Sequence, residues 1–227
     1  MKYDFNVNVK RTNRIKTVSF LIKEQELIIT VPKFISKREV DRLILTKIKW
    51  IRKKLAAELL YKNFKEKRYI NGEKFMFFGK FYNLKIKKSL TEDIKISSNN
   101  IIILSMDIKN NINIKNILRK WYIKEAKKYI IKTNTYYENL IGISVNKLLF
   151  GEYKSKWGSC NSHKRISYDW RIIMAPLEVI HYLVIHELSH INHPNHSKLF
   201  WLHVEKYMKD YKVHRKWLKL NASKLYI

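Results

Sequence analysis

The sequence predicts an α+β protein, with a strand-rich N-terminal region followed by a helix–sheet–helix region. Short apolar segments separated by turn residues dominate residues 1–110, although one long helix interrupts them. Apolar residues at helical spacing dominate from residue 111 onward. A chain of 227 residues that is 46% hydrophobic can build a substantial core. We therefore expect two regions, residues 1–110 and 111–227.

The N-terminal region is predicted to begin with a β-hairpin and a long helix. Residues 17–23 and 27–31 are strand-like and flank a polar Glu-Gln-Glu turn. Ser36 and Glu39 have the spacing of a capping box, which marks the start of a helix. The apolar residues that follow recur at helical spacing, and they are Val40, Leu43, Ile44, Ile48, Ile51, Leu55 and Leu59.

The next segment, residues 69–104, is predicted to form a small sheet. Asn71 and Gly72 are typical of a tight turn. Strand-like stretches lie at residues 75–78, 81–86, 94–96 and 101–104. The aromatic side chains here can either stack on nucleic-acid bases or fill a sheet core, and the core is the more usual fate. These side chains are Phe75, Phe77, Phe78, Phe81 and Tyr82.

A second long helix is predicted from about Asn113 to the residue before Gly142. Its apolar face consists of Ile117, Trp121, Ala126, Tyr129, Ile130 and Tyr137. Two strands should follow at residues 144–153 and 165–170, joined by a turn at residues 156–159. If the second of these strands is the edge of its sheet, it can pair with an extended peptide.

The last part of the chain is predicted to be helical and to carry the chemistry. His186 and His190 are four residues apart, so a helix places both on one face, where they can reach one metal ion. Glu187 lies about 100° around the helix from His186, close enough to hold a metal-bound water without ligating the metal. A zinc hydrolase needs this arrangement. The alternative is a buried helix whose histidines only form hydrogen bonds.

The third metal ligand has three candidates. His193 would lie on the same helical face, but the three histidines would then span about 10 Å along the helix, too far for one ion. Pro194 disfavours continuation of the helix, so the chain can turn there and bring His196 back to the metal. We favour His196 over His193. Glu205, on a following helix, is the other candidate. Two shorter helices are expected from about Ser197 and Tyr211.

Residues 154–201 resemble the YgjP-like metallopeptidase domain, which is related to the SprT-like and WLM zinc peptidases. The motifs that carry the resemblance are KSKWGSC at 154–160, APLEVIHY at 175–182, HELSH at 186–190, NHS at 195–197 and FW at 200–201. The resemblance implies a Zn²⁺ ion held by His186, His190 and His196, with Glu187 as the base and a protein or peptide as the substrate. We therefore expect a zincin-like catalytic region in which the long helix from Asn113 packs against the active helix beneath a small sheet.

Four other residues in or near these motifs also have predicted roles. Lys156 and Tyr168 are candidate donors to the oxyanion that develops in the transition state of a zinc peptidase. Trp157 is expected to pack in the core. Cys160 is expected to be a small buried hydrophobe, because no base is paired with it in the sequence.

Charge and composition bear on partners and compartment. The formal net charge is +28, and lysine outnumbers arginine 37 to 10, which favours generic compositional bias slightly over nucleic-acid binding. We expect weak, salt-sensitive nucleic-acid binding, for which the best candidate patch is Lys37, Arg38, Arg42, Lys47, Arg52, Lys53 and Lys54. One cysteine, no signal peptide and no membrane span are consistent with a cytoplasmic location.

The sequence thus leaves three functions open. The first is a zinc metallopeptidase that uses a Glu-activated, zinc-bound water. The second is a nucleic-acid-associated protease of the SprT-like type. The third is a zinc hydrolase that acts on a non-peptide bond. A purely structural metal is disfavoured, because a structural zinc site needs a fourth ligand and no adjacent base.

Overall fold

A computed structural model describes residues 3–62, 67–153 and 155–227, with the side chains of residues 57 and 59–62 left out. The protein is α+β, as predicted. It divides into two compact units, Met1–Lys65 and Glu66–Ile227. The sequence predicted the boundary between the two regions at residue 110 instead. The difference arises because the strands of residues 74–105 share one core with the helix that follows them.

The first unit contains a three-stranded sheet and one long helix. The sheet order is β1-β3-β2, formed by β1 (Asn6–Thr12), β2 (Ser19–Lys23) and β3 (Glu26–Pro32). Strands β2 and β3 are antiparallel, which confirms the predicted hairpin. Strand β1 pairs parallel with β3 and was not predicted. Its sequence, NVNVKRT, has only two apolar residues, so its long-range pairing leaves little local signal.

Helix α1 (Lys37–Lys62) begins with the predicted capping box. The Ser36 backbone N–H donates to Glu39 Oε2 at 2.9 Å, and the Glu39 backbone N–H donates to Ser36 Oγ at 3.2 Å. The predicted apolar face is buried against the sheet at Val40, Ile44, Ile51 and Leu55. Leu43 and Ile48 pack against it in part, and the predicted Leu59 side chain lies outside the described residues.

The second unit begins with a four-stranded sheet of order β4-β5-β7-β6. Its strands are β4 (Lys74–Phe77), β5 (Lys80–Lys88), β6 (Asp93–Ser97) and β7 (Asn100–Ser105). The β4–β5 turn is held close to a distant segment, because the Gly79 N–H donates to Met174 O at 2.9 Å and a Cβ on Gly79 would meet Pro176 at 2.9 Å. Most of the aromatic residues are buried or packed against the core, as expected, but Phe81 is 58% exposed.

Helix α2 (Asn111–Ile141) is the central helix of the second unit. It starts where Asn110 Oδ1 accepts from the Asn113 N–H at 3.1 Å. It ends at Gly142, whose φ of 76° is left-handed and therefore suits glycine. Both ends confirm the prediction. Its buried face shares the core with β7 and with the helix that carries HELSH.

The second sheet corrects the predicted arrangement. It contains β8 (Lys147–Gly151), β9 (Gly158–Cys160) and β10 (Arg165–Asp169) in the order β8-β10-β9. The expectation that β10 could be an edge was wrong, because β10 is central. The turn expected at residues 156–159 was also wrong, because β9 occupies part of that segment. Trp170 begins a 3-10 helix (Trp170–Met174) rather than ending the strand.

Three α-helices follow, which are α3 (Leu177–Asn192), α4 (Lys198–Tyr207) and α5 (Tyr211–Asn221), and a short 3-10 helix (Ala222–Leu225) comes after them. Pro176 occupies the N-cap position of α3 and forms no side-chain capping hydrogen bond. Ser197 caps α4 by accepting from the Phe200 N–H at 3.3 Å, close to the predicted start. Across residues 3–62, 67–153 and 155–227, no helix is long and apolar enough to cross a membrane.

Candidate metal centre

Three histidines converge at the C-terminal end of α3. His186 and His190 lie on one face of the helix, and α3 ends at Asn192, where His193 has φ −132° and ψ 90°. The chain then turns through Pro194, which cannot continue the helix, and returns His196 to the same face. The ligand atoms of the three histidines all lie within 4.8 Å of one another. His186 Nε2 and His196 Nε2 are 3.0 Å apart.

The three imidazoles fit a metal ion in both distance and protonation state. Two nitrogens bound to one tetrahedral zinc lie about 3.3 Å apart, given Zn–N bonds of about 2.0–2.1 Å, so the cluster needs little adjustment. Burial and the neighbouring His190 and His196 lower the pKa of His186 to about 3. Burial likewise lowers the pKa of His190 and of His196. Neutral imidazoles are the form that binds metals.

Neighbouring groups orient two of the rings. His190 Nδ1 lies 3.1 Å from the backbone oxygen of His193, which can only accept, so His190 donates from Nδ1 and keeps Nε2 free. The Tyr182 hydroxyl lies 3.4 Å from His186 Nδ1. Partners of this kind fix the tautomer and the orientation of metal-binding histidines. The end of α3 therefore both turns the chain and positions His190.

The structure keeps the other two candidate ligands away from the cluster. The His193 ring packs beside His203, with ring centroids 5.2 Å apart, and only its backbone serves the site. Glu205 lies on α4 and its carboxylate is 3.9 Å from Lys212 Nζ. Neither residue belongs to the group of side chains that can hold one ion. The structure therefore brings His196, and neither His193 nor Glu205, into one group with His186 and His190.

Glu187 is a buried carboxylate beside the histidine cluster. Its side chain is 4% exposed, and burial raises its pKa to about 8, against a lowering effect of Lys156. Its Oε2 has no hydrogen-bond partner among the described residues, which is unusual for a buried polar atom and marks it as available to a ligand. A Cβ on Gly158 would lie 2.5 Å from Glu187 Oε1, so strand β9 packs directly on the carboxylate.

The two predicted oxyanion donors occupy different environments. Lys156 is exposed, with its Nζ donating to Ser159 Oγ at 2.8 Å, and its charge acts on Glu187. Tyr168 is fully buried, and its hydroxyl donates to Asn134 Oδ1 at 2.9 Å. Burial raises the pKa of Tyr168 well above its usual value. The Tyr168 hydroxyl is thus engaged inside the core rather than presented to a substrate.

Trp157 and Cys160 flank this segment. Trp157 is half-buried against the core, and its ring packs at a tilt of 57° against that of Tyr226, with ring centroids 5.6 Å apart. Cys160 is also half-buried, and burial together with the negative charge of Glu187 raises its thiol pKa to about 11. The thiol is therefore poorly ionised at neutral pH and behaves as a small packing residue.

Sequence reasoning missed three residues that border the site. Gly158 has no Cβ and therefore leaves room for the Glu187 side chain. Trp201, on α4, lies beside His196, with ring centroids 5.5 Å apart and an interplanar angle of 23°. Arg215, on α5, lies over the Trp201 ring. Trp201 belongs to the FW motif at residues 200–201. No local pattern in the sequence indicates that α5 places Arg215 over this ring.

The fold and the site define an α+β protein with a three-histidine cluster that can hold a metal ion. The YgjP-like metallopeptidase domain matches residues 16–221, which is most of the chain. The chain belongs to the YgjP-like metallopeptidase family. Family membership makes it a metallopeptidase, that is, a hydrolase of protein substrates.

One solved structure is similar to part of the chain. It is the crystal structure of the metallopeptidase zymogen of Pyrococcus abyssi abylysin, with 22% sequence identity and a TM-score of 0.32. The similarity covers 34% of this chain and 77% of that one. No curated protein matches the chain.

Proposed function

We propose that the protein is a zinc-dependent peptidase in which His186, His190 and His196 hold the zinc and Glu187 is the general base. The observation that carries the proposal is a cluster of three neutral imidazoles beside a buried carboxylate whose Oε2 has no partner among the described residues. A closed structural site would need a fourth protein ligand, and among the described residues the cluster has three members. When bound, zinc supplies a Lewis acid that polarises a carbonyl and lowers the pKa of water.

Glu187 is suited to move the proton that hydrolysis requires. Its burial favours the protonated form, which makes its carboxylate a stronger base than an exposed glutamate. Lys156 favours the ionised form and so limits this rise in the pKa of Glu187, and a cation held by the three histidines would lower the pKa further. A base with a pKa near the working pH transfers protons most effectively. Glu187 would accept a proton from the attacking water and pass it to the leaving amine.

Lys156 is the better placed of the two candidate donors. Its Nζ lies within hydrogen-bond distance of Ser159 on β9, and its field reaches Glu187. It can therefore donate to a carbonyl oxygen of a substrate that lies along β9, where negative charge develops during hydrolysis. Tyr168 is not part of the proposal, because its hydroxyl is committed to Asn134.

Strand β9 is the proposed peptide-binding edge, replacing the β10 edge considered from sequence. In the order β8-β10-β9, strand β9 pairs on one side with β10, and no other described strand pairs with its second side. An extended peptide can add to such an edge through backbone hydrogen bonds. The Gly158 residue of β9 touches Glu187, so a peptide on this edge would lie beside the proposed base.

The test is casein cleavage by purified protein carrying Glu187→Gln. This change keeps the shape of the side chain but removes the base, so we expect retained zinc and at least about a hundredfold lower activity. Glu178→Gln is the matched control, because Glu178 lies exposed in the first turn of the same helix. Near-normal cleavage by the Glu187 variant would contradict the mechanism. Zinc binding with no cleavage by wild-type protein would favour hydrolysis of a non-peptide bond.

The charge of the protein supports a second, weaker interaction with nucleic acid. The Lys and Arg residues that sequence analysis assigned to a patch on α1 are all exposed, as on any solvated helix face. Arg52 is paired with Asp4 at 3.2 Å, which reduces the free charge of that patch. We propose sequence-independent binding that is too weak to define the function of the protein.

A further inference from the structure

Arg215 is an exposed arginine that lies close to the candidate metal centre although it is 19 residues beyond His196. Its guanidinium carbon is 4.3 Å from the ring centroid of Trp201, and the Trp201 ring is 5.5 Å from that of His196. These contacts place the guanidinium within about 10 Å of the His196 ring, a length that about three extended residues span. Trp201 therefore holds Arg215 at a distance from the histidine cluster that a bound peptide can span.

The acidic groups closest to Arg215 along α4 and α5 are engaged elsewhere. Asp210 Oδ2 lies 2.9 Å from His214 Nε2, and Glu205 lies 3.9 Å from Lys212. Within the described residues, Arg215 forms no ion pair with a carboxylate, and its guanidinium lies over the Trp201 ring. An arginine that stacks on an aromatic face keeps the N–H groups on its edge available for a planar, bidentate acceptor.

The positive field of Arg215 reaches the histidine cluster. The Arg215 guanidinium lies within about 10 Å of the His196 ring, which is about one Debye length at 0.1 M ionic strength. The charge is therefore close enough to act on a ligand that lies beside these rings. A negatively charged group on that ligand would be attracted.

We propose that Arg215 is a specificity-determining residue that binds a carboxylate of the substrate peptide, within a few residues of the scissile bond. The carboxylate can come from an acidic side chain or from a free C-terminus, and both offer the same two oxygens to the guanidinium. The inference rests on the proposed peptidase function, because the histidine cluster defines where the scissile bond would lie. Arg215 does not contact the reacting atoms in this account, so it affects the choice of substrate rather than the chemical step.

The experiment compares peptides that differ by one carboxylate. A set of fluorogenic peptides carries Glu or Gln at successive positions around the cleaved bond, each with a free or an amidated C-terminus. Cleavage is measured for wild type, Arg215→Gln, Arg215→Lys and the control Lys216→Gln, which removes a neighbouring exposed cation from α5. Binding of the same peptides to the Glu187→Gln variant, with and without Arg215→Gln, is measured separately by fluorescence anisotropy.

We expect wild type and Lys216→Gln to prefer one acidic form by about tenfold, the usual effect of a charge-assisted hydrogen bond. Arg215→Gln should reduce the preference to about one, mainly through KM, and Arg215→Lys should restore part of it. Metal content should not change. If the preference lies between the Glu and Gln peptides, the carboxylate that Arg215 binds is an acidic side chain. If it lies between the free and the amidated peptides, the carboxylate is the C-terminus.

The inference would be overturned if the wild type cleaved all the peptides equally well, or if the Arg215 and Lys216 variants lost the preference to the same extent. A merely structural role for Arg215 would lower the activity toward acidic and neutral peptides alike. Cleavage without any carboxylate preference would refute the role of Arg215 and leave the proposed peptidase intact. A carboxylate preference in binding, with no cleavage by any form, would support the role of Arg215 and count against the peptidase.

Discussion

The contact between Gly158 and Glu187 predicts a strong effect of one added methyl group. A Cβ on Gly158 would lie 2.5 Å from Glu187 Oε1 and 2.7 Å from both Cδ and Cγ, whereas ordinary van der Waals contact begins near 3.4 Å. Strand β9 is tied to β10 through the Gly158–Tyr168 pair, so the backbone has little freedom to withdraw. In Gly158→Ala the Glu187 side chain must therefore move.

The size of the effect follows from how catalysis depends on position. A displacement of about 1 Å in a catalytic group costs about a hundredfold in rate. Overpacking of a core site also costs about 1–3 kcal/mol of unfolding free energy. The three atoms that the new methyl would meet first all belong to Glu187. We therefore expect Gly158→Ala to lose about a hundredfold in kcat/KM while it keeps its metal.

The assay is peptide cleavage together with metal content and urea denaturation. Gly151→Ala in β8 is the matched control, because its Cβ would meet only the outer end of the Tyr153 ring, at 3.0 Å, and that side chain can shift. The decisive comparison introduces Gly158→Ala into the Glu187→Gln background, where no further activity should be lost. If the methyl group costs as much there as in the wild type, it does not act through Glu187.

Two further predictions concern acid stability and charge. The His181 ring lies between the hydroxyls of Tyr129 (2.9 Å) and Tyr137 (3.1 Å), and burial lowers its pKa while Glu178 opposes the shift. The contribution of neutral His181 to the free energy of unfolding is then complete above about pH 6.5 and is lost as the pH falls through the lowered pKa. The free energy of unfolding of His181→Phe, measured by urea denaturation, should therefore depend less on pH between 5 and 7 than that of the wild type. Nucleic-acid binding should weaken steeply with salt, by about 0.9 in log–log slope per phosphate contact on duplex DNA, and charge reversal on α1 should matter no more than reversal of scattered lysines. The nucleic-acid prediction would be refuted if binding stayed tight at physiological salt and only the charge reversals on α1 abolished it.

The parts of the site that depend on short-range sequence were predictable. The spacing of His186 and His190 fixes their common face, and Pro194 ends the helix so that His196 can return. The capping box at Ser36 and the glycine end of α2 were likewise local signals, and both are present in the structure. Each of these features follows from residues within about one or two helical turns of one another.

The parts that depend on long-range pairing were not predictable. Strand β9 has three residues and obtains its place only by pairing with β10, so the segment resembled a turn in the sequence. The central position of β10 could not be read from its own residues, because strand order is set by partners elsewhere in the chain. The position of Arg215 over Trp201 likewise depends on how α5 packs against α4.

Metal analysis of three proteins tests the central claim most directly. Wild type, His196→Ala and His193→Ala are purified in parallel, and zinc per chain is measured after removal of loosely bound ions. We predict one zinc in wild type and in His193→Ala, where the backbone oxygen that receives His190 Nδ1 remains, and a large loss in His196→Ala. Loss of zinc only in His193→Ala, or its absence from wild type, would contradict the three-histidine site.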